Sequence, residues 1–113
     1  MEPTFQVTIV GGGNLAHGSI ACIGHNNPRF KINLLTRRPE VWQKQITAYT
    51  KSSWWENKGD LVGSINKASD KAKDVIPGSQ IIIICSPGHT KIGLLEQIRD
   101  YLEPGTLVGS IFG

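Results

Sequence analysis

The stretch Val7-Thr8-Ile9-Val10-Gly11-Gly12-Gly13-Asn14-Leu15-Ala16-His17-Gly18 constrains this chain more than any other. A run of mostly β-branched apolar residues reads as a strand. It feeds directly into a glycine-rich turn and then into a small-residue helical segment spanning about residues 14–25. Each position of the turn has a physical task. Gly11 lets the chain leave the strand sharply, and Gly13 has no Cβ to keep a ligand away from the backbone. Ala16 is small enough for the helix to pack closely on the strand, and the helix offers free N–H groups and its positive dipole end to an anion. Gly11, Gly13 and Ala16 occupy the three diagnostic places of G-x-G-x-x-G/A, the pyrophosphate-binding turn of dinucleotide folds, in the strand-to-helix context that gives the motif meaning. The competing reading is a tight strand–helix turn with no ligand.

Asn26-Asn27-Pro28 stops the helix, because proline disfavours helix at the residue before it. Phe30, Ile32 and Leu34 then alternate and predict a second strand, completing β-α-β in about thirty residues. That strand ends in Thr36-Arg37-Arg38. NAD-selective folds place an acid here to hold the adenosine ribose hydroxyls. This chain has none before Glu40, past Pro39. Two guanidiniums and a hydroxyl suit a 2′-phosphate instead, since arginine's planar fork pairs with phosphate bidentately. One such charged hydrogen bond, about 1.5–3 kcal/mol, suffices to favour NADP(H) over NAD(H). Solvated arginines, or one stacked on the adenine, would leave the two cofactors nearly equal.

Pro39 suits the first position of a helix, and Trp42, Ile46 and Tyr49 would give that helix an apolar face. Trp54-Trp55 and Leu61-Val62 flank the turn signal Lys58-Gly59-Asp60 and predict a small hairpin, with Ile65 extending its second arm. This insertion is expected to replace the third strand and helix of a minimal unit. All three tryptophans lie between positions 42 and 55, which fits an interface or ordinary packing. Ser69 or Asp70 caps a short helix that Pro77-Gly78 ends. Ile81-Ile82-Ile83-Ile84-Cys85 reads as a parallel strand covered on both faces. Ser86-Pro87-Gly88-His89-Thr90 follows at its carboxyl end, where open α/β sheets place ligands. A helix over residues 91–102 would turn Ile92, Leu95, Ile98 and Leu102 to one side, and residues 106–112 form a last strand. The expected fold is α/β: a Rossmann-type doubly wound parallel sheet with helices on both faces and a small hairpin insertion.

At 113 residues, 39% hydrophobic and 19% charged, the chain is one globular domain. Its longest apolar run is too short to cross a bilayer, and Met1-Glu2-Pro3 lacks a basic leader, so a cytoplasmic location is expected. Cys22 and Cys85 have no metal-ligand spacing and read as two buried thiols in a reducing compartment. A net charge of +3 helps attract an anionic dinucleotide, but no basic stripe with interleaved aromatics argues for nucleic acid. His17 is expected to make a structural hydrogen bond, and His25 suits a helix C-terminus as a partly charged imidazole. His89 reads as a substrate contact or as a loop cap.

Gly11-Gly12-Gly13-Asn14-Leu15-Ala16-His17 resembles the start of the opine dehydrogenases, of octopine and nopaline dehydrogenase type. The order of hairpin insertion, apolar strand and Ser-Pro-x-His loop agrees. More distantly the chain is similar to NAD-dependent glycerol-3-phosphate dehydrogenases and ketopantoate reductases. The resemblance implies the cofactor-binding domain of an NAD(P)H-dependent oxidoreductase that reduces the imine formed between an amino acid and a 2-oxo acid, or a ketone. It would set Gly11, Gly12, Gly13, Asn14, Leu15 and Ala16 on the pyrophosphate, and Thr36, Arg37 and Arg38 on the adenosine ribose. Cys85, Ser86 and Pro87 would line the nicotinamide side. In that family a second, mainly helical domain binds substrate and supplies the catalytic histidine and its acidic partner. The sequence reaches Gly113 without one, so no catalytic residue is assigned, and residues 1–113 alone are expected to be inactive. The expected partners are the dinucleotide and that second domain, or another copy through exposed apolar surface. A non-catalytic NAD(P)-binding module, or an interaction domain acting through Trp42, Trp54 and Trp55, is the alternative.

Overall fold

The computed structural model describes residues 5–48, 61–86 and 88–111. Strand β1 (Gln6–Val10) leads into helix α1 (Asn14–Asn26) and strand β2 (Lys31–Leu35). A 3₁₀ turn at Pro39–Val41 precedes strands β3 (Gln45–Ala48), β4 (Leu61–Ser64) and β5 (Lys67–Ser69). Helix α2 (Ala72–Val75), strand β6 (Ile81–Cys85), a 3₁₀ turn at Gly88–Thr90, helix α3 (Lys91–Arg99) and strand β7 (Leu107–Ile111) complete the order. Five strands form a sheet in the order β5-β2-β1-β6-β7, every pair parallel. β3 and β4 form a separate antiparallel hairpin.

Side-chain alternation divides the core in two. Val7, Ile9, Ile32 and Leu34 meet Ala16, Ile20 and Ala21 of α1, with Ile46 and Ile65 of the hairpin region. Val10, Leu35, Ile82 and Ile84 meet Ala72, Val75 and Ile76 around α2, and Ile98 of α3. The sheet is therefore covered on both faces, as expected of a doubly wound fold. Winding runs from β1 out to β2 and β5, then returns past β1 to β6 and β7, so the direction reverses between β1 and β6. A reversal of this kind leaves a crevice at the carboxyl ends of the strands. The buried Thr8 is satisfied in the middle of β1: its Oγ1 donates to the Val75 carbonyl at 2.9 Å and lies 2.6 Å from Ser79 Oγ.

Three expectations need correction. The helix expected from Pro39 is only the turn Pro39–Val41, and Ile46 instead enters β3 opposite Gly63. Strand pairing buries Ile46 against the α1 layer, which outweighs a helical spacing of apolar residues. The hairpin exists, but its first arm is Gln45–Ala48, while Tyr49, Trp54, Trp55 and the Lys58-Gly59-Asp60 turn lie outside the described residues. Nor does it replace the third strand, because β5 pairs in parallel with β2 through Asn33–Lys67, Leu34–Ala68 and Leu35–Ser69. Ile65 follows β4 and is buried, its N–H donating to the Lys44 carbonyl at 2.7 Å.

In α3 the inward pair is Leu94 and Ile98, one turn apart, whereas Ile92 and Leu95 are 71% and 42% exposed and Leu102 lies beyond the helix. Of the two free thiols, Cys85 is buried and Cys22 is exposed.

Two glycines seat the hairpin on α1. A Cβ on Gly63 would run into the Ile20 carbonyl oxygen, and one on Gly24 would come within 2.7 Å of the Gly63 Cα. Only chains lacking Cβ at both places can approach this closely.

Candidate functional site

The glycine turn is wedged between the ends of β2 and β6. Gly11 has φ of +149°, and a Cβ there would collide with the Cys85 carbonyl oxygen. Its N–H donates to the Leu35 carbonyl at 2.9 Å, tying the end of β1 to that of β2. A Cβ on Gly12 would lie 2.9 Å from Thr36 Oγ1. Gly13 differs from both, because nothing lies within 4 Å of the place its Cβ would take. Gly13 also occupies the N-cap of α1 with no capping side chain, so the helix's first-turn N–H groups have no side-chain acceptor. An open backbone at a helix start is suited to a phosphate.

A cleft of about 1040 Å³ opens over this turn. It brings together Gly11, Gly12, Gly13, Asn14 and Leu15, with Thr36, Arg37 and Arg38 at one end and Cys85 and Ser86 at the other. Ala16 is absent from the lining: it is fully buried behind the turn, where its small side chain lets α1 settle on the sheet. Pro87 lies outside the described residues.

Thr36 is buried, and its N–H donates to the Ser69 carbonyl at 2.9 Å, which anchors the end of β2 to β5. Arg37 and Arg38 are exposed beside it. Arg38 Nε lies 3.6 Å from Glu40 Oε1 in a solvent-exposed ion pair. At the other end, Ser86 Oγ is buried and has no hydrogen-bond partner among the described residues. Burial pushes the Cys85 thiol above its ordinary range, opposed by a hydrogen bond with Ser19 at 3.7 Å and by the charge of Lys91. A thiol held neutral in this way is a wall of the cleft and a poor nucleophile.

The histidines separate cleanly. His17 Nε2 donates to the Thr47 carbonyl at 2.9 Å, joining α1 to β3, and its ring centroid is 6.0 Å from that of Trp42. That is the structural hydrogen bond expected of it. His25 lies in the last turn of α1, the helix end expected of it, and its Nδ1 accepts the Val62 N–H at 3.4 Å. His89 sits exposed in the Gly88–Thr90 turn and lines the cleft.

Several lining residues have no assigned role in the sequence reading: Leu35, Val41 and Trp42, and Gly93, Leu94 and Gln97 of α3. Trp42 carried a signal as one of three clustered tryptophans. Gly93 and Gln97 carried none. Among the described residues no group of three or more His, Cys, Asp or Glu side chains is placed to hold a metal. No described helix is long and apolar enough to cross a membrane.

A parallel sheet that reverses direction at a glycine turn, with an open cleft over that turn, is the Rossmann-type α/β fold. Solved structures share it. NADH-bound octopine dehydrogenase in its L-arginine complex superposes on 95% of this chain with a TM-score of 0.82 at 17% identity. Yersinopine dehydrogenase superposes on 96% with a TM-score of 0.76 at 18% identity. A protein from Ralstonia solanacearum assigned as a ketopantoate reductase does so on 96%, with 0.70 at 17% identity. The chain spans 28% of the length of the two opine dehydrogenases and 32% of the third protein. At such identities the likeness establishes the fold. No protein-family model matches the chain, and no curated protein sequence does so.

Proposed function

We propose that this chain is the NAD(P)-binding domain of an oxidoreductase, holding the dinucleotide across the cleft at the strand ends. The observation that carries the reading is the paired condition of Gly11 and Gly13. The first is forced to be glycine by the protein, whereas the second faces open space at the bare start of α1. A phosphate occupying that space would take the N–H groups of the first turn. The unpartnered Ser86 Oγ offers a hydroxyl at the other end of the cleft, and the Thr36-Arg37-Arg38 corner offers cationic forks and a hydroxyl to a ribose or its 2′-phosphate. The residues present therefore fit a nicotinamide dinucleotide, and the arginine pair favours NADP(H).

When bound, the cofactor supplies hydride chemistry. The chain's residues orient it: Gly11, Gly12, Gly13, Asn14 and Leu15 at the pyrophosphate, with Ala16 supporting them from beneath. Cys85 and Ser86 lie on the nicotinamide side. The solved relatives include an NADH-bound octopine dehydrogenase and an NADP⁺-bound yersinopine dehydrogenase, which supports reduction of an imine or ketone as the full reaction. Residues 1–113 are the cofactor unit in this reading, and a second domain of the kind found in opine dehydrogenases supplies substrate binding and proton transfer in the cytoplasm.

Calorimetric titration with NADPH and with NADH tests it. NADPH binds more tightly, and Arg37→Ala with Arg38→Ala removes the difference while NADH binding persists. Equal affinities for the two would retain the fold's use and discard the arginine role. Failure of the folded chain to bind either would leave an interaction domain as the better account.

A further inference from the structure

We propose that Gln97 reads the adenine base of the dinucleotide, an inference that rests on the binding reading above and assigns a residue no sequence motif marks. Thr90, Gly93 and Gln97 follow one another at helical spacing and put a single strip of α3 and its leading turn along the cleft. Gln97 lies seven residues, about 10 Å, along the axis from Thr90 and thus away from the Ser86 end. Which end it approaches follows from the packing of α3 against α2, the helix that begins just past Ser69, whose carbonyl takes the Thr36 N–H; Gln97 lines the same cleft as Thr36, Arg37 and Arg38.

The residues of α3 that line the cleft have complementary chemistry. Gly93 has nothing within 4 Å of the place a Cβ would occupy, so this point of the helix surface is open to a flat ring. Leu35, Val41 and Leu94 add apolar atoms to the same cleft lining for the faces of that ring to meet. Val41 is 57% exposed, so its side chain is open to contact from a ligand in the cleft. Gln97 is exposed, and its amide has no hydrogen-bond partner among the described residues. One carboxamide matches adenine in a way few groups do: its oxygen accepts from the 6-amino group while its NH₂ donates to the adjacent ring nitrogen N7.

The test compares NADPH with its hypoxanthine analogue, in which oxygen replaces the 6-amino group, by calorimetric titration of the full chain. On the N7 edge the analogue presents two acceptors, so the amide keeps one hydrogen bond and loses the other. The chain is expected to bind NADPH about tenfold more tightly than the analogue, the discrimination typical of a bidentate amide–base pair. Gln97→Leu and Gln97→Ala, at an exposed position, keep the circular dichroism of the parent and bind the two dinucleotides within about twofold of each other. Equal binding of both bases by the parent chain overturns the assignment, as does discrimination that survives in both variants. In either of those cases dinucleotide binding itself remains, so the cofactor reading stands. Failure of the folded parent to bind either dinucleotide removes the reading and the assignment together.

Discussion

The carbonyl oxygen of Cys85, at the end of β6, occupies the space where a side chain on Gly11 would begin. The glycine turn is thus shaped from beneath by a strand more than seventy residues away in sequence. β1 and β6 pair through Val7–Ile81 to Val10–Ile84, and their ends converge at this contact. The same pair of strands marks the point where the winding reverses, so the cleft floor and the fold's switch point share one steric requirement.

Gly11 and Gly13 are therefore expected to fail differently. Gly11→Ala introduces a backbone clash at a positive φ and destabilises the chain by about 2–4 kcal/mol in urea denaturation. Gly13→Ala meets no protein atom, so stability changes by less than about 1 kcal/mol, while dinucleotide affinity falls tenfold or more because the methyl group enters the phosphate space. Equal loss of stability in both variants would show that Gly13 is held by the protein and not kept open for a ligand.

The ion pair between Arg38 and Glu40 bears on cofactor choice. A 2′-phosphate at Arg38 must compete with a carboxylate now 3.6 Å from its Nε. Both side chains are solvent-exposed, where such pairs are worth about 0–1 kcal/mol. Glu40→Gln is thus expected to tighten NADPH about two- to fivefold and leave NADH within twofold, with the gain shrinking as salt is raised. A variant that weakens NADPH would mean that Glu40 orients the guanidinium instead of opposing the phosphate.

The hairpin depends on Gly63 in the same steric sense as the turn depends on Gly11. Gly63→Ala would push β4 off the Ile20 carbonyl and disturb the burial of Ile46 and Ile65. We expect a loss of about 2–3 kcal/mol, read in the urea midpoint, and a weaker tether between His17 and Thr47. Protection of the Ile46 and Gly63 amides from hydrogen exchange should fall together with it, and unchanged protection would argue that β4 can shift without cost.

How far the sequence was legible follows from where each constraint acts. The turn at residues 11–16 was readable because the steric demand on Gly11 and the smallness of Ala16 appear as residue identities in one short stretch. The apolar strand Ile81–Cys85 was readable because a fully covered strand has a composition of its own. The segment after Pro39 was not, since Trp42 and Ile46 have helical spacing and the decision belonged to Gly63, a strand partner seventeen residues beyond Ile46. Strand β5 was missed for a similar reason: three residues, Lys67-Ala68-Ser69, carry no pattern, and only pairing with β2 makes them a strand. Gly93 and Gln97 line the cleft through the packing of α3 against α2, which no local pattern encodes.

The two cysteines give a last, independent check on the cleft wall. Cys22 is exposed on α1, whereas Cys85 is buried and its thiol is held above the ordinary value of 9.0 by desolvation, against the hydrogen bond with Ser19. A disulfide reagent at neutral pH should therefore label one thiol quickly and the second only as fast as the chain opens. The raised value also sets a pH dependence. The neutral thiol is favoured in the folded state, so this contribution is fully present below the unfolded value and is lost as pH climbs past it toward the higher folded value. Stability should consequently decline above about pH 9, and Cys85→Ala should flatten that decline while lowering stability at neutral pH through the lost packing. Occupation of the cleft by NADPH should slow labelling of Cys85 further and leave Cys22 unchanged. Equal protection of both thiols would point to global stabilisation, and faster labelling of Cys85 would show that the ligand does not lie against the end of β6.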